Sequence, residues 1–517
     1  MGAALFLAAL FVLLIISPEN IDPLNVRWCV NGGGDNLQHY LGWRFFRNSR
    51  WTRYFLFMKD LNYPAGTSVI VTDSNPLLCL LFKLFGKILP ETFQFNGIWI
   101  LFCYLMQAFF AVLIGRRLTD NFWLTSAGAV MAVLNPVVLQ RTLIHENLAA
   151  HWLILAAVWL FLHDEQKWNP AGWFILSGLT LLIHIYFIPM IGFILLLQMI
   201  RMALKKAPFL KIMLPLLVFA GTLAAGYFGL GYSYILPQSG SFGELSMNLN
   251  AFINPDGVSS VLRDRPALPL QYEGFNYLGA GLLLLAAAGI ICAGRSGIVK
   301  ILPFFLPAIF LVFVAASQNA YFDLYPVYRI SLPEKVYELL SAFRSSGRLA
   351  WPVYYLILFS SLYFLGKRSE KYPFLVMTAV LCVLLQIFDL KEFCLHTAER
   401  FRDPSNPIAE ITQDVSDALS GNVRHLYSDS GDSKTVDALA LFAANHHMTF
   451  NRIANARGIK PVFGDEILDM RSLDCSQIRP ESVYIYFSAD DLPENLDSCG
   501  SVKISDINGW ILVRSLQ

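Results

Sequence analysis

Residues 171–204 read AGWFILSGLTLLIHIYFIPMIGFILLLQMIRMAL, an apolar run of 34 residues interrupted at His184-Ile185-Tyr186-Phe187-Ile188-Pro189. As one straight helix it would be ~51 Å long at ~1.5 Å per residue, against a hydrocarbon core of ~30 Å. A single crossing is too short to hold it. The run predicts two helices joined by a tight re-entry near Tyr186–Pro189, in a chain that crosses the bilayer repeatedly.

The remainder of the sequence agrees. Of 517 residues, 55% are hydrophobic and only 15% charged, where soluble globular domains carry about 25% charged residues. Plentiful Phe, Tyr and Trp suit the aromatic belts of many membrane interfaces. Spans fall at 3–17, 97–115, 122–140 and 148–163, on either side of the re-entry, and at about 211–236, 276–293, 298–316, 349–366 and 373–389, eleven in all. Residues 3–17 lack the basic n-region and Ala-x-Ala exit of a cleaved signal, so they read as a short first span.

Basic residues set the orientation. With the N-terminus in the cytoplasm, the inner links hold Arg116-Arg117, Lys167, Arg201/Lys205/Lys206/Lys211, Arg295/Lys300 and Lys367/Arg368/Lys371. The C-terminal segment then lies on the opposite side. Its composition changes near residue 390: charges rise, and the short alternating runs Val483–Phe487 and Gly509–Val513 read as strands. His425-Leu426-Tyr427 reads as a strand edge and Ala438–Phe442 as a helix. The expected organisation is a transmembrane domain over 1–390, with a large outer loop at 18–96, and a small soluble α/β or α+β domain over 391–517. Cys475 and Cys499 pair if that domain meets an oxidising compartment and are buried thiols otherwise. The net charge of +1 gives no reason for a nucleic-acid partner, and the eight cysteines show no zinc or thioredoxin spacing.

Polar clusters punctuate the outer loops. Gly32-Gly33-Gly34-Asp35-Asn36-Leu37-Gln38-His39 opens the first of them. If the segment is helical from Asp35, then Asp35 and His39 share one face, one turn apart, as an acid–base pair would. Ordinary turn chemistry with Asp35 as helix N-cap is the alternative. Thr72-Asp73-Ser74-Asn75-Pro76 is either a second polar contact or an Asp/Ser cap ahead of a first-turn proline. His145 and Glu146 suit substrate contact or interfacial capping, and Ala149 breaks the His-Glu-x-x-His zinc spacing. His184 is a lone histidine in an apolar run. Glu273 sits among aromatics in Gln271–Tyr277, where a sugar ring or an interface belt would explain it. Arg344 and Arg348, with Ser345 and Ser346, form a phosphate clamp or snorkel to the interface.

Asp35, Asp73, His145, Glu146, Glu273, Arg344 and Arg348 all fall on the outer side, while Walker loops, nucleophile elbows and dinucleotide fingerprints are missing from the sequence. Substrate would therefore arrive activated, most simply on a lipid carrier within the bilayer.

With a first span, a large outer loop opening on Gly34-Asp35, and a multispan bundle, the chain resembles the GT-C superfamily of membrane glycosyltransferases. More closely, it resembles an uncharacterised bacterial polytopic membrane-protein family, a domain of unknown function related to that superfamily. The residues that carry this resemblance are Gly34–Arg47, Thr72–Pro76, Gln271–Gly279 and Phe343–Arg348. It implies a mainly α, GT-C-like transmembrane helix bundle in the bacterial inner (cytoplasmic) membrane, with Asp35 at the catalytic-base position. The expected activity is inverting transfer of a sugar from a polyprenyl-phosphate donor to an extracytoplasmic glycan, lipid or protein acceptor. Asp35 would take the acceptor proton, and Arg344 and Arg348 would stabilise the departing lipid phosphate. His39, Asp73, His145, Glu146 and Glu273 would orient donor and acceptor, and the soluble domain would position the cell-envelope glycan. No cofactor is called for, and a divalent cation is left open. The rival readings are a transporter or flippase of a lipid-linked glycan, disfavoured by the lack of paired halves, and a non-catalytic membrane scaffold.

Overall fold

A computed structural model describes residues 1–163, 169–236, 242–452, 457–463, 468–496 and 498–516. Lys167, assigned above to an inner link, lies outside the described residues. The chain forms two compact units, one of residues 1–22, 95–226 and 237–402, the other of 23–94, 227–236 and 403–517.

The first unit is a helix bundle. Among the described residues, eight helices are long and apolar enough to cross a membrane, or nine if the bent pair Phe374–Asp389 and Lys391–Arg402 is one span. The sequence suggested eleven. The difference has two local causes: Pro170–Ile183 has only 14 residues, and Ala280–Ala316 counts as one helix although Gly294, at φ 58°, breaks it in two.

The run 171–204 folds as its length requires, into Pro170–Ile183 and Phe187–Leu204 with His184–Tyr186 between them. Asn169 caps the first helix by accepting from Gly172 N at 2.9 Å, with Pro170 at the first helical position. Pro189 falls in the first turn of the second helix, where backbone N–H groups have no intrahelical partner to lose. The loop ahead of Ala280 is tied to the bundle by Asp389, a buried carboxylate that accepts from Tyr277 Oη and Ala280 N, both at 2.8 Å, and from Ser259.

The second unit gathers stretches far apart in sequence. Phe450 N donates to the Asp60 carbonyl at 2.8 Å, Tyr63 N to the Phe450 carbonyl at 3.0 Å, and Asn406 N to the Asn31 carbonyl at 2.9 Å. The loop expected to belong to the membrane domain is thus built into the same body as the C-terminal residues. Its five-stranded mixed sheet runs Thr449–Phe450, His425–Ser428, Ser482–Tyr486, Trp510–Ser515, Val502–Ile507. The first two junctions are parallel and the last two antiparallel. His425–Ser428 is therefore an inner strand, not an edge. The last two strands turn at Asn508-Gly509, both at positive φ, the pattern that two-residue hairpins require. Cys475 and Cys499 are joined as a disulfide, with Cα atoms 6.0 Å apart.

The orientation is open to direct measurement. Reporter fusions at Arg117, Lys206 and Lys371 are expected to score as cytoplasmic, and fusions in 242–275 and after Ser515 as extracytoplasmic. A cytoplasmic C-terminus would reverse the assignment.

Candidate functional site

In the helical unit, three charged residues from distant parts of the chain meet. Arg141 Nη2 and Arg348 Nη2 each lie 2.9 Å from Glu273 Oε2, and Arg348 Nε donates to the same oxygen at 2.9 Å. All three residues are buried, at 1%, 7% and 8% exposure for Arg141, Arg348 and Glu273. Burial pushes the Glu273 carboxyl up, but the guanidiniums of Arg348 and Arg141 outweigh it and hold the group well below the usual carboxylate range. Two cations on one carboxylate leave the cluster with a net positive charge. The aromatic faces beside it suit that excess: Arg348 lies over Tyr186 at 4.8 Å and Arg141 over Trp351 at 5.7 Å.

The local sequence explains the meeting. Arg141 projects from the helix Pro136–Ile144, which Asn135 caps by accepting from Val137 N at 2.9 Å. Glu273 and Arg348 stand next to glycines that pack backbone to backbone: a Cβ on Gly347 would come within 2.5 Å of Gly274 Cα. Any side chain there would wedge the two loops apart. Asn276 Nδ2 closes the joint by donating to the Gly274 carbonyl at 2.9 Å and the Gly347 carbonyl at 3.0 Å.

The other candidates of this unit flank the cluster. His145 ends the helix that carries Arg141, and its ring lies 5.2 Å from that of His184. His184 in turn neighbours Tyr186, ring to ring at 5.4 Å, and Tyr186 Oη accepts from Ser345 N at 2.9 Å. Glu146 is buried, and its carbonyl accepts from Trp99 Nε1 at 3.1 Å. Arg344 precedes Arg348 by four residues and is half-buried. Among the described residues it makes no ion pair or hydrogen bond. The two arginines are thus not equivalent, because Arg348 is committed to Glu273 while Arg344 keeps its guanidinium available.

In the second unit, Asp35 and His39 lie on one helix, and the loop that carries Asp73 packs against it. The helix Gly34–Asn48 starts after Gly33, which is the N-cap; Gly33 and Gly34 take φ of 59° and 51°. Asp35 is the second helical residue, half-buried. Among the described residues its carboxylate makes no hydrogen bond or ion pair. The capping explanation of Asp35 therefore fails. His39 follows on the same face and is buried.

The Asp73 loop docks on this helix. Ser74 Oγ donates to the His39 carbonyl at 2.7 Å and lies 2.9 Å from Thr72 Oγ1, while Gly42 leaves the space these hydroxyls occupy. The cap of the next helix, Pro76–Lys83, is Asn75, which accepts from Leu78 N at 3.2 Å. Asp73 and Ser74 are not the cap expected from sequence. Arg44 and Arg47 are structural: Arg44 pairs with Glu91 at 3.4 Å, and Arg47 donates to the Gly86 carbonyl at 2.8 Å.

A family model described as a domain of unknown function, DUF6311, matches residues 5–391. The chain belongs to the DUF6311 family. No curated protein matches it. Among solved structures it is similar to the oligosaccharyltransferase of Archaeoglobus fulgidus. The apo form gives 15% identity and a TM-score of 0.44, and the form tethered to an acceptor peptide 14% and 0.42. In both, the alignment covers 87% of this chain and 64% of the other. In this DUF6311 member, Arg141 and Tyr186 are the site residues that sequence reasoning missed. The signal for Arg141 was present: an arginine inside an apolar helix needs a buried counter-charge.

Proposed function

We propose that this DUF6311 protein is a membrane glycosyltransferase of GT-C type, moving a sugar from a polyprenyl-phosphate donor to an extracytoplasmic glycan, lipid or protein. Asp35 is its general base. It takes the proton of the acceptor hydroxyl as that oxygen bonds to the anomeric carbon, and the bond from that carbon to the phosphate oxygen breaks. The polyprenyl phosphate departs with the electron pair.

One observation carries the reading. Asp35 is partly accessible, caps nothing and is paired with no cation among the described residues, so its carboxylate is available to accept a proton. In this reading Arg344 contacts the lipid phosphate through its available guanidinium, and Glu273 positions Arg348. His39 and Asp73 serve the base; His145 and Glu146 contact substrate.

Mass spectrometry of envelope glycans from cells with and without the protein tests the reading. A glycan lacking one sugar in its absence is the expected result, and identical glycan profiles would contradict it. Arg344→Lys keeps the charge but loses the planar fork, so it is expected to weaken donor use by about 1–3 kcal/mol. Steady-state rates against donor concentration check this, and rates unchanged in Arg344→Ala would reassign the residue to the interface.

A further inference from the structure

The helical unit holds a cavity that plays no part in the proposed transfer. A cavity of about 670 Å³ lies at the basic end of the bundle, ringed by Arg117, Arg201, Lys300, Lys367 and Arg368. Arg117, Arg201 and the pair Lys367/Arg368 stand in the last turns of three different helices, and Lys300 follows the Gly294 break. Among the described residues no carboxylate lines the cavity. Its inner walls are apolar and aromatic, including Phe161, Phe193, Phe304, Phe359 and Phe364.

Helix-end cations beside a membrane are expected singly, from snorkelling and from the helix dipole. The inner-face bias of basic residues puts them on one side of the membrane, and the fold then brings them round one void. An anion suits the charge of Arg117, Lys300, Lys367 and Arg368, and hydrocarbon suits the void beneath it. Along the helix Trp351–Ser369, Pro352, Tyr355, Phe359, Tyr363 and Lys367 line the cavity on one face. Those 15 residue steps amount to ~22 Å of helix, about half of the ~40–45 Å bilayer counted with its headgroups. That is the depth of one lipid leaflet. Arg201 is held in place by donating to the Phe161 carbonyl and lying 4.1 Å over the Phe161 ring, and Lys367 lies 4.4 Å over Tyr363.

We propose that this cavity binds an anionic glycerophospholipid, its phosphodiester against Arg117, Lys300, Lys367 and Arg368 and one acyl chain along the Pro352–Lys367 face. Guanidiniums match phosphate oxygens in pairs, and basic pockets between transmembrane helices favour such headgroups. The site needs no glycosyl transfer and is tested without it.

The purified full chain is incubated in detergent with phosphatidylglycerol or with phosphatidylcholine of the same acyl chains, and retained lipid is read by native mass spectrometry. Phosphatidylglycerol is expected to be retained about tenfold or more over phosphatidylcholine. The triple variant Lys300→Gln/Lys367→Gln/Arg368→Gln, altered only at exposed side chains, is expected to lose the preference while keeping the melting temperature. Equal retention of the two lipids, or a preference that survives in the triple variant, would overturn the proposal. Displacement of the lipid by excess inorganic phosphate would also overturn it, by showing a free-phosphate site.

Discussion

Glu273→Gln is expected to cost ~3–5 kcal/mol of stability, because it leaves two buried guanidiniums facing a neutral amide. Arg141 and Arg348 cannot both relocate to water: the first is fixed to the helix Pro136–Ile144 and the second to a loop locked by the Gly274–Gly347 contact. A lowered melting temperature of the purified protein is the readout. Glu273→Asp, which keeps the charge on a shorter arm, is expected to lose less. The pH dependence follows from the same cluster. A carboxyl depressed in the folded state contributes stability that is present above its unfolded pKa of ~4.3 and lost as pH falls below it. Wild-type stability is therefore expected to be steeper in acid than that of Glu273→Gln. Equal melting temperatures of the two proteins at neutral pH would mean that the cluster does not hold the loops together.

Asp35→Asn is the second large effect. The substitution keeps the shape of a residue that caps nothing and pairs with no cation, so folding and membrane abundance are expected to stay near wild type. It removes the proton acceptor, and loss of a general base typically lowers the rate ~10²–10⁴-fold. Low abundance of the variant would instead mark Asp35 as part of the helix start. The comparison is cleaner than for His39, which is buried and whose backbone carbonyl receives Ser74 Oγ.

What could be read from sequence was whatever has a fixed period or length. The apolar runs located the long helices, though they overcounted the spans, and the length of 171–204 gave the re-entry, because a bilayer imposes one dimension on every crossing. The strands Ser482–Tyr486 and Trp510–Ser515 were legible from alternation, while Val502–Ile507 between them was not read. Pairings between distant residues were not. Arg141, Glu273 and Arg348 lie in separate runs, and nothing local to any of them names the other two. The joining of 23–94 to 403–517 combines backbone bonds such as Phe450 N to the Asp60 carbonyl with side-chain contacts such as Tyr63 stacked on His425, and neither leaves a trace in composition. Two caps were misplaced for a smaller reason. Pro76 at the first helical position makes Asn75 the cap, and Gly33, at positive φ, takes the cap position that the sequence offered to Asp35. Moving each cap by one or two residues turns Asp35 and Asp73 from structural residues into candidates for chemistry.

The account stands most directly on one reaction. Purified protein reconstituted in lipid vesicles is supplied with a mixture of polyprenyl-phosphate sugars and a delipidated envelope-glycan extract, and released polyprenyl phosphate is measured against time. Release by wild type, reduced ~10²–10⁴-fold in Asp35→Asn protein of equal abundance and melting temperature, is the expected result. Release at the wild-type rate by the Asp35→Asn protein would contradict it.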